Sequence, residues 1–153
     1  MSESKSDTDM ERRRRLGRRA LACKRWRWMP GMRDTHGCRV VDVAHGELRL
    51  HDWGTYADTR RGLDYCGTVE VTTISESDVP DLDDPATLGC IEHGLLPAAW
   101  PGCAIKVMRY TTPSGAVFAD VYVHDYKLPS NERFAVIYVP IAEALIAALE
   151  AAP

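Results

Sequence analysis

The last third of the chain leaves little choice of fold. Residues 103–110 and 116–124 each alternate in character from one position to the next, and Thr112, Pro113, Ser114 and Gly115 join them. Such alternation puts successive side chains on opposite faces of a strand, and Pro and Gly suit a tight turn. The two runs therefore read as a hairpin. In its second strand Val117, Ala119, Val121 and Val123 share one face, while Phe118, Asp120, Tyr122 and His124 share the other. Pro129, Ser130 and Asn131 turn the chain into a third run, residues 134–139. Pro140 then opens a helix, with Ile141, Leu145 and Leu149 on one face and Glu143 and Glu150 facing out.

Further strands are expected upstream. Residues 39–43 and 47–51 flank Ala44, His45 and Gly46, which suits a short hairpin turn. Residues 68–74 are rich in β-branched side chains, and residues 52–66 are polar and turn-rich, hence a loop. Asp84 followed by Pro85 is a helix start, because the carboxylate caps free N–H groups and Pro fits the first turn. Leu88, Ile91 and Leu95 give that helix a buried stripe; Gly94 and Pro97 predict that it is short or broken. The expected fold is α+β, an antiparallel sheet of about five to six strands with helices packed on one face.

The N-terminal part is basic. Residues 1–30 hold ten Lys/Arg against four Asp/Glu, and the remaining residues hold nine against eighteen. A basic arm on an acidic body can bind an anion, or dock on its own body or on a neighbouring copy. Residues 1–7 read as a disordered tail and residues 8–153 as one domain. A basic helix is expected over residues 8–29, opened by a capping box of Thr8 and Glu11 and closed by Pro30 and Gly31. Leu16, Ala20 and Cys23 give it a thin apolar stripe, and Gly17 weakens it by about 1 kcal/mol relative to Ala. No apolar run approaches the roughly 20 residues that cross a bilayer, and no apolar segment follows the arginines as in a secretory signal. Five irregularly spaced cysteines, an odd number, read as reduced thiols of a cytosolic protein.

Several residues invite a chemical reading. Arg12, Arg13, Arg14, Arg15, Arg18, Arg19, Lys24, Arg25 and Arg27 could neutralise phosphates, with Trp26 beside them to stack on unpaired bases. Trp26 and Trp28 stand about 200° apart around a helix, so both cannot share one apolar face while the helix lasts. Trp28, Met29, Pro30 and Met32 are expected to close the helix onto the sheet, with Trp28 buried and the arginines exposed. Glu76, Asp78, Asp81, Asp83 and Asp84 form an acidic stretch that could mimic phosphate and meet a basic groove. Asp81, Asp83 and Asp84 do not make a calcium loop, since Pro85 and Ala86 stand where a ligand and a glycine are needed. Cys90 and His93, with His36 and Cys38, have ligand-like spacing, but buried cysteines usually serve as small apolar groups, and no metal or cofactor is expected. His51-Asp52 and His124-Asp125 are not dyads on a strand, where neighbours face opposite ways. An enzyme would need His51, His124 or Cys66 to converge in a pocket.

Two segments carry a resemblance. Residues 22–32, in the form Ala-Cys-x-x-Trp-Arg-Trp-Met-Pro-Gly-Met, and residues 80–90, Pro-Asp-Leu-Asp-Asp-Pro-Ala-Thr-Leu-Gly-Cys, resemble the two motifs of a group of small phage and prophage proteins. Residues 143–152 resemble that group's tail. The motifs cover about a fifth of the chain, in matching order and spacing. The resemblance implies a phage or prophage origin and brings no activity with it. The expectation is a non-enzymatic accessory protein in the cytoplasm of a bacterial host. It would bind a host or phage macromolecule, with a protein as partner, as inhibitors of host defence such as anti-CRISPR proteins do. The alternatives are a nucleic-acid-binding module using the arginine helix, and a small enzyme with His or Cys chemistry.

Overall fold

A computed structural model describes residues 3–44, 47–51, 71–75, 77–127 and 132–153. The fold is α+β. Its elements in order are α1 (Glu3–Ala22), β1 (Arg39–Ala44), β2 (Glu47–His51), β3 (Val71–Thr73), α2 (Pro85–Cys90), a π-helical turn (Ile91–Leu95), α3 (Leu96–Ala99), β4 (Ala104–Thr111), β5 (Val117–His124), β6 (Glu132–Pro140) and α4 (Ile141–Glu150).

The C-terminal unit follows the alternation in the sequence. β4, β5 and β6 form an antiparallel sheet in chain order. Ala119, Val121 and Val123 of β5 are fully buried on its inner face. α4 packs against β5 and β6, and the π-helical turn, α3 and α1 pack against α4. α4 is therefore enclosed on more than one side. Ala144 and Ile146 are buried along with Leu145 and Leu149, a wider apolar surface than one stripe. The Trp100 indole donates to the Ala148 carbonyl at 2.9 Å, so the ring fills the core without stranding its N–H.

Among the described residues the strands fall into two three-stranded sheets. β1, β2 and β3 pair among themselves, antiparallel and in order, as a separate three-stranded sheet. Between β3 and β4 the chain forms the α2–α3 helical segment, and β4 starts a new sheet beyond it. The expected turn residues His45 and Gly46, the loop 52–66, residues 68–70 and the turn 129–131 lie outside the described residues.

The first helix differs from expectation at both ends. It begins at Glu3, so residues 3–7 are helical and Thr8 is not its start. It ends at Ala22 rather than Met29. Cys23 and Trp26 make turn-type N–H bonds to the Ala20 and Cys23 carbonyls, at 3.1 and 2.9 Å. The two tryptophans supply the reason. Once out of the helix, Trp26 and Trp28 meet edge to face with centroids 5.9 Å apart, and Trp28 is buried. Leu16, Ala20 and Cys23 are buried as their spacing requires. Gly17 lies against the body: a Cβ there would come within 2.3 Å of Val79 Cγ1 and 2.8 Å of the Pro80 carbonyl. The missing Cβ permits that close approach, at the cost of some helix propensity.

Asp84 caps α2 as its position predicts, accepting the Thr87 N–H at 2.9 Å, with Pro85 in the first turn. The helical path then continues through Gly94 and Pro97 to Ala99. A π-helical turn absorbs the break and Pro97 sits at the start of α3, where a missing N–H is tolerated.

Candidate interaction surfaces

The two motifs meet in space and form one interlocked joint. Met29 lies over Gly94, where a Cβ would come within 2.5 Å of the Met29 Cε. The Cys90 thiol points at the Pro30 carbonyl, 3.6 Å away. Arg33 N–H donates to Thr87 Oγ1 at 2.8 Å, and Asp81 N–H to the Arg33 carbonyl at 2.7 Å. Two arginines complete the joint. Arg33 donates through Nε and Nη2 to Asp81 Oδ2 at 3.1 and 2.6 Å. Arg39 donates through Nη2 to Asp84 Oδ1 at 3.2 Å. Asp84 also accepts the Thr87 hydroxyl at 2.8 Å. Burial opposes the charged form of Asp84, but the Arg39 and Thr87 hydrogen bonds outweigh it and hold its carboxyl below the ordinary value.

This joint removes most of the expected acidic surface. Asp81 and Asp84 are buried and paired, so neither is offered to a partner. Asp83 is exposed, but Arg13 Nε stands 2.5 Å from its Oδ2. Asp78 accepts the Ser75 N–H at 2.7 Å and serves as a local turn acceptor. Glu76 lies outside the described residues. The aspartate-rich motif binds its own arginines because its carboxylates cap a helix and bridge two segments.

The basic segment divides in a comparable way. Arg19 meets Glu150 with two hydrogen bonds, Nε at 3.0 Å and Nη2 at 2.8 Å. Arg25 donates to the Pro153 carbonyl through Nε at 3.2 Å and Nη2 at 2.8 Å. With Arg13 on Asp83, these three cations tie α1 and its following turn to the body. Arg12, Arg14, Arg15, Arg18, Lys24 and Arg27 are exposed, with no carboxylate partner among the described residues. Trp26 is half-buried against Trp28, with its Nε1 enclosed and unpartnered, so its ring is committed to the fold rather than free to stack on a base.

Among the described residues, the Cys90–His93 and His124–Asp125 groupings do not assemble. His93 is exposed and Cys90 turns to Pro30, so the two do not face one another as ligands. Among the described residues, Asp34, His36 and Asp78 are the one set of three whose ligand atoms approach within 4.8 Å. Asp34 there accepts the His36 and Cys38 N–H groups at 2.9 and 2.8 Å, as a turn residue does. The Asp125 carboxylate is engaged by the Lys127 N–H and by Arg133, while the His124 ring lies between Tyr122 and Tyr126. Cys66 and the side chain of His51 lie outside the described residues.

One surface was not singled out from the sequence: the outer face of the β4–β5–β6 sheet. Phe118 and Tyr138 stack there at 4.8 Å, and Tyr110 packs 6.2 Å from Tyr138. The alternation of β5 already placed Phe118, Tyr122 and His124 together, which was the available signal. No helix among the described residues is long and apolar enough to cross a membrane. No family model, curated protein or solved structure matches this chain.

Proposed function

We propose that this chain is a non-enzymatic accessory protein of phage or prophage origin that binds an acidic surface of a host or phage protein in the bacterial cytoplasm. Inhibition of a host defence complex is the role this reading favours. The observation that carries it is the outward stripe of α1. Residues three and four apart share a helix face, so Arg14, Arg15 and Arg18 stand together, opposite the buried Leu16 and Ala20. Arg13, Arg19 and Arg25 fasten the segment, so the stripe is presented on a fixed support.

A protein fits this stripe better than a nucleic acid. Met10, 46% exposed, lies one turn before Arg14 on the same side, and exposed Glu11 sits between them. Methionine and arginine are enriched at protein interfaces. The test is a pull-down from nuclease-treated lysate of phage-infected bacteria. The wild-type chain should retain a defined partner that the Arg14→Gln/Arg15→Gln/Arg18→Gln variant loses. Recovery of the same partners by both would defeat the reading. A complex recovered from a parallel untreated lysate but lost on nuclease treatment would transfer the stripe to nucleic acid.

A further inference from the structure

The outer face of the β4–β5–β6 sheet has the makings of a second binding site. Ala119, Val121 and Val123 turn inward under α4, so Phe118, Asp120, Tyr122 and His124 turn outward. The register sets Tyr110 beside Phe118 and Lys106 beside Tyr122. Of the six large apolar side chains that are exposed among the described residues, four belong to the outer face of this sheet or the turn leaving it: Tyr110, Tyr126, Ile137 and Tyr138. A concentration of that kind on one face marks a contact surface rather than scattered exposure.

The rings are ordered. Along β5 the Tyr122, His124 and Tyr126 rings form a ladder with centroids 6.0 and 6.4 Å apart and interplanar angles of 16° and 18°. The Phe118–Tyr138 stack continues the aromatic surface toward the other end. Between them lies Asp120, only 6% exposed although it is on the open face. It accepts the Tyr110 hydroxyl and the Tyr138 N–H, each at 2.7 Å. β6 bulges there, placing Ile137 and Tyr138 opposite Asp120, and Tyr138 takes φ 52°. A buried carboxylate and a left-handed tyrosine both cost stability. Here they hold the Tyr110 hydroxyl and the Tyr138 backbone in place at the end of the aromatic face.

We propose that this face binds single-stranded nucleic acid, with unpaired bases stacking on the Tyr122–His124–Tyr126 ladder and the phosphate backbone passing Lys106 and Lys127. Aromatic rings on an open sheet offer flat faces to which successive bases bind without a sequence requirement. The charges agree. Asp120 is engaged by the two tyrosines and Asp125 by Arg133, while Lys106 on this face and Lys127 in the turn after β5 are exposed, their ammonium groups without a hydrogen-bonded carboxylate among the described residues. A duplex keeps its bases stacked internally and has nothing to give the rings. The site goes beyond the proposed protein contact and is independent of it: α1 packs on the helical side of the sheet, and its arginine stripe takes no part.

Fluorescence anisotropy of a labelled oligothymidine of about 12 nucleotides, a length within the usual site size, tests this with the full chain. Single strands should bind and compete, and duplex should not. With two lysines on the backbone, the slope of log K against log salt should be about −1.4. Tyr126→Ala alters a side chain that is 71% exposed and should fold normally, yet weaken binding about ten-fold. Tyr126→Phe keeps the ring and should bind as wild type, and Lys106→Ala should flatten the salt slope by about 0.7. Absence of binding, equal competition by duplex, or indifference to Tyr126→Ala overturns the proposal. So does sedimentation showing that Tyr126→Ala separates copies of the chain without changing affinity for the oligonucleotide, since the face would then be a protein interface.

Discussion

The guanidinium of Arg19 and the carboxylate of Glu150, 131 residues apart in the chain, meet in a two-bond pair on the surface. The pair fastens α1 to α4, the helix that closes the second sheet. It is nevertheless solvent-exposed on both sides, with 45% and 38% of the side chains accessible. Exposed pairs contribute about 0.2–1 kcal/mol and are screened by salt. A double-mutant cycle with Arg19→Ala and Glu150→Ala, followed by urea unfolding, should give a coupling inside that range at low salt and less in molar salt. A coupling of several kcal/mol would mean that the docking of α1 rests on this pair rather than on Leu16 and Ala20.

Asp84 should matter far more. Its carboxylate caps α2, receives the Thr87 hydroxyl and pairs with Arg39 while 4% exposed. Asp84→Ala leaves Arg39 and two donors without their acceptor, and the expected loss is about 3 kcal/mol in chemical denaturation. Arg33→Ala should be comparable in kind, because Asp81 would be left buried without its cation.

The same carboxylate sets an acid limit. Its folded pKa lies below its ordinary value, so the unfolded chain takes up the proton first as pH falls. The stability it contributes is complete above about pH 3.9 and is lost as pH falls through the lower folded value. Asp84→Asn should therefore lower stability at neutral pH and flatten the acid limb of stability against pH. An unchanged acid limb would assign it to other carboxylates.

Burial pushes the Cys23 and Cys90 thiols above their ordinary values, with nearby carboxylates adding to the effect. The unfolded thiols lose their protons first as pH rises, so this contribution is present below about pH 8.5 and is lost as pH passes through the higher folded values. Both cysteines should alkylate more slowly in the native chain than in urea at pH 8. Equal rates would show that the thiolates form freely in the folded state.

Gly17→Ala should destabilise, against the helix scale. Alanine is favoured over glycine by about 1 kcal/mol in a helix interior. Here the added methyl meets Val79 Cγ1 and the Pro80 carbonyl, and the backbone atom cannot move aside as a flexible side chain can. Overpacking of this kind costs about 1–3 kcal/mol, so a lower melting temperature is expected. A higher one would show that the contact relaxes.

Residues with a clear local signal are legible in the sequence. Alternation located β4 and β5, Asp84-Pro85 located the start of α2, and the spacing of Leu16, Ala20 and Cys23 located the buried side of α1. What failed was set by partners distant in sequence. Propensity carries the basic helix on to Met29, but the two tryptophans need each other and end it at Ala22. Asp81 looked like surface charge because nothing in the local sequence announces Arg33, 48 residues away. Gly94 and Pro97, by contrast, do mark a short α2 that breaks into a π-helical turn and α3. The aromatic face was half visible, since alternation groups Phe118, Tyr122 and His124, but only the β6 bulge brings Tyr138 onto Phe118.

The docking of α1 on α4 also orders events in time. β4, β5, β6 and α4 are consecutive, and their contacts close short loops, so this unit can form early. α1 is made before α4 during synthesis, and although it also meets Val79 and Pro80, the α4 part of the surface it covers does not exist until residues 141–150 have been added and packed. Its apolar stripe must meanwhile remain in water or in the care of a chaperone, and its arginines help keep it soluble. A chain cut before Ile141 should leave α1 open to proteolysis while the full chain protects it. α1 thus completes its seating only after α4 has formed.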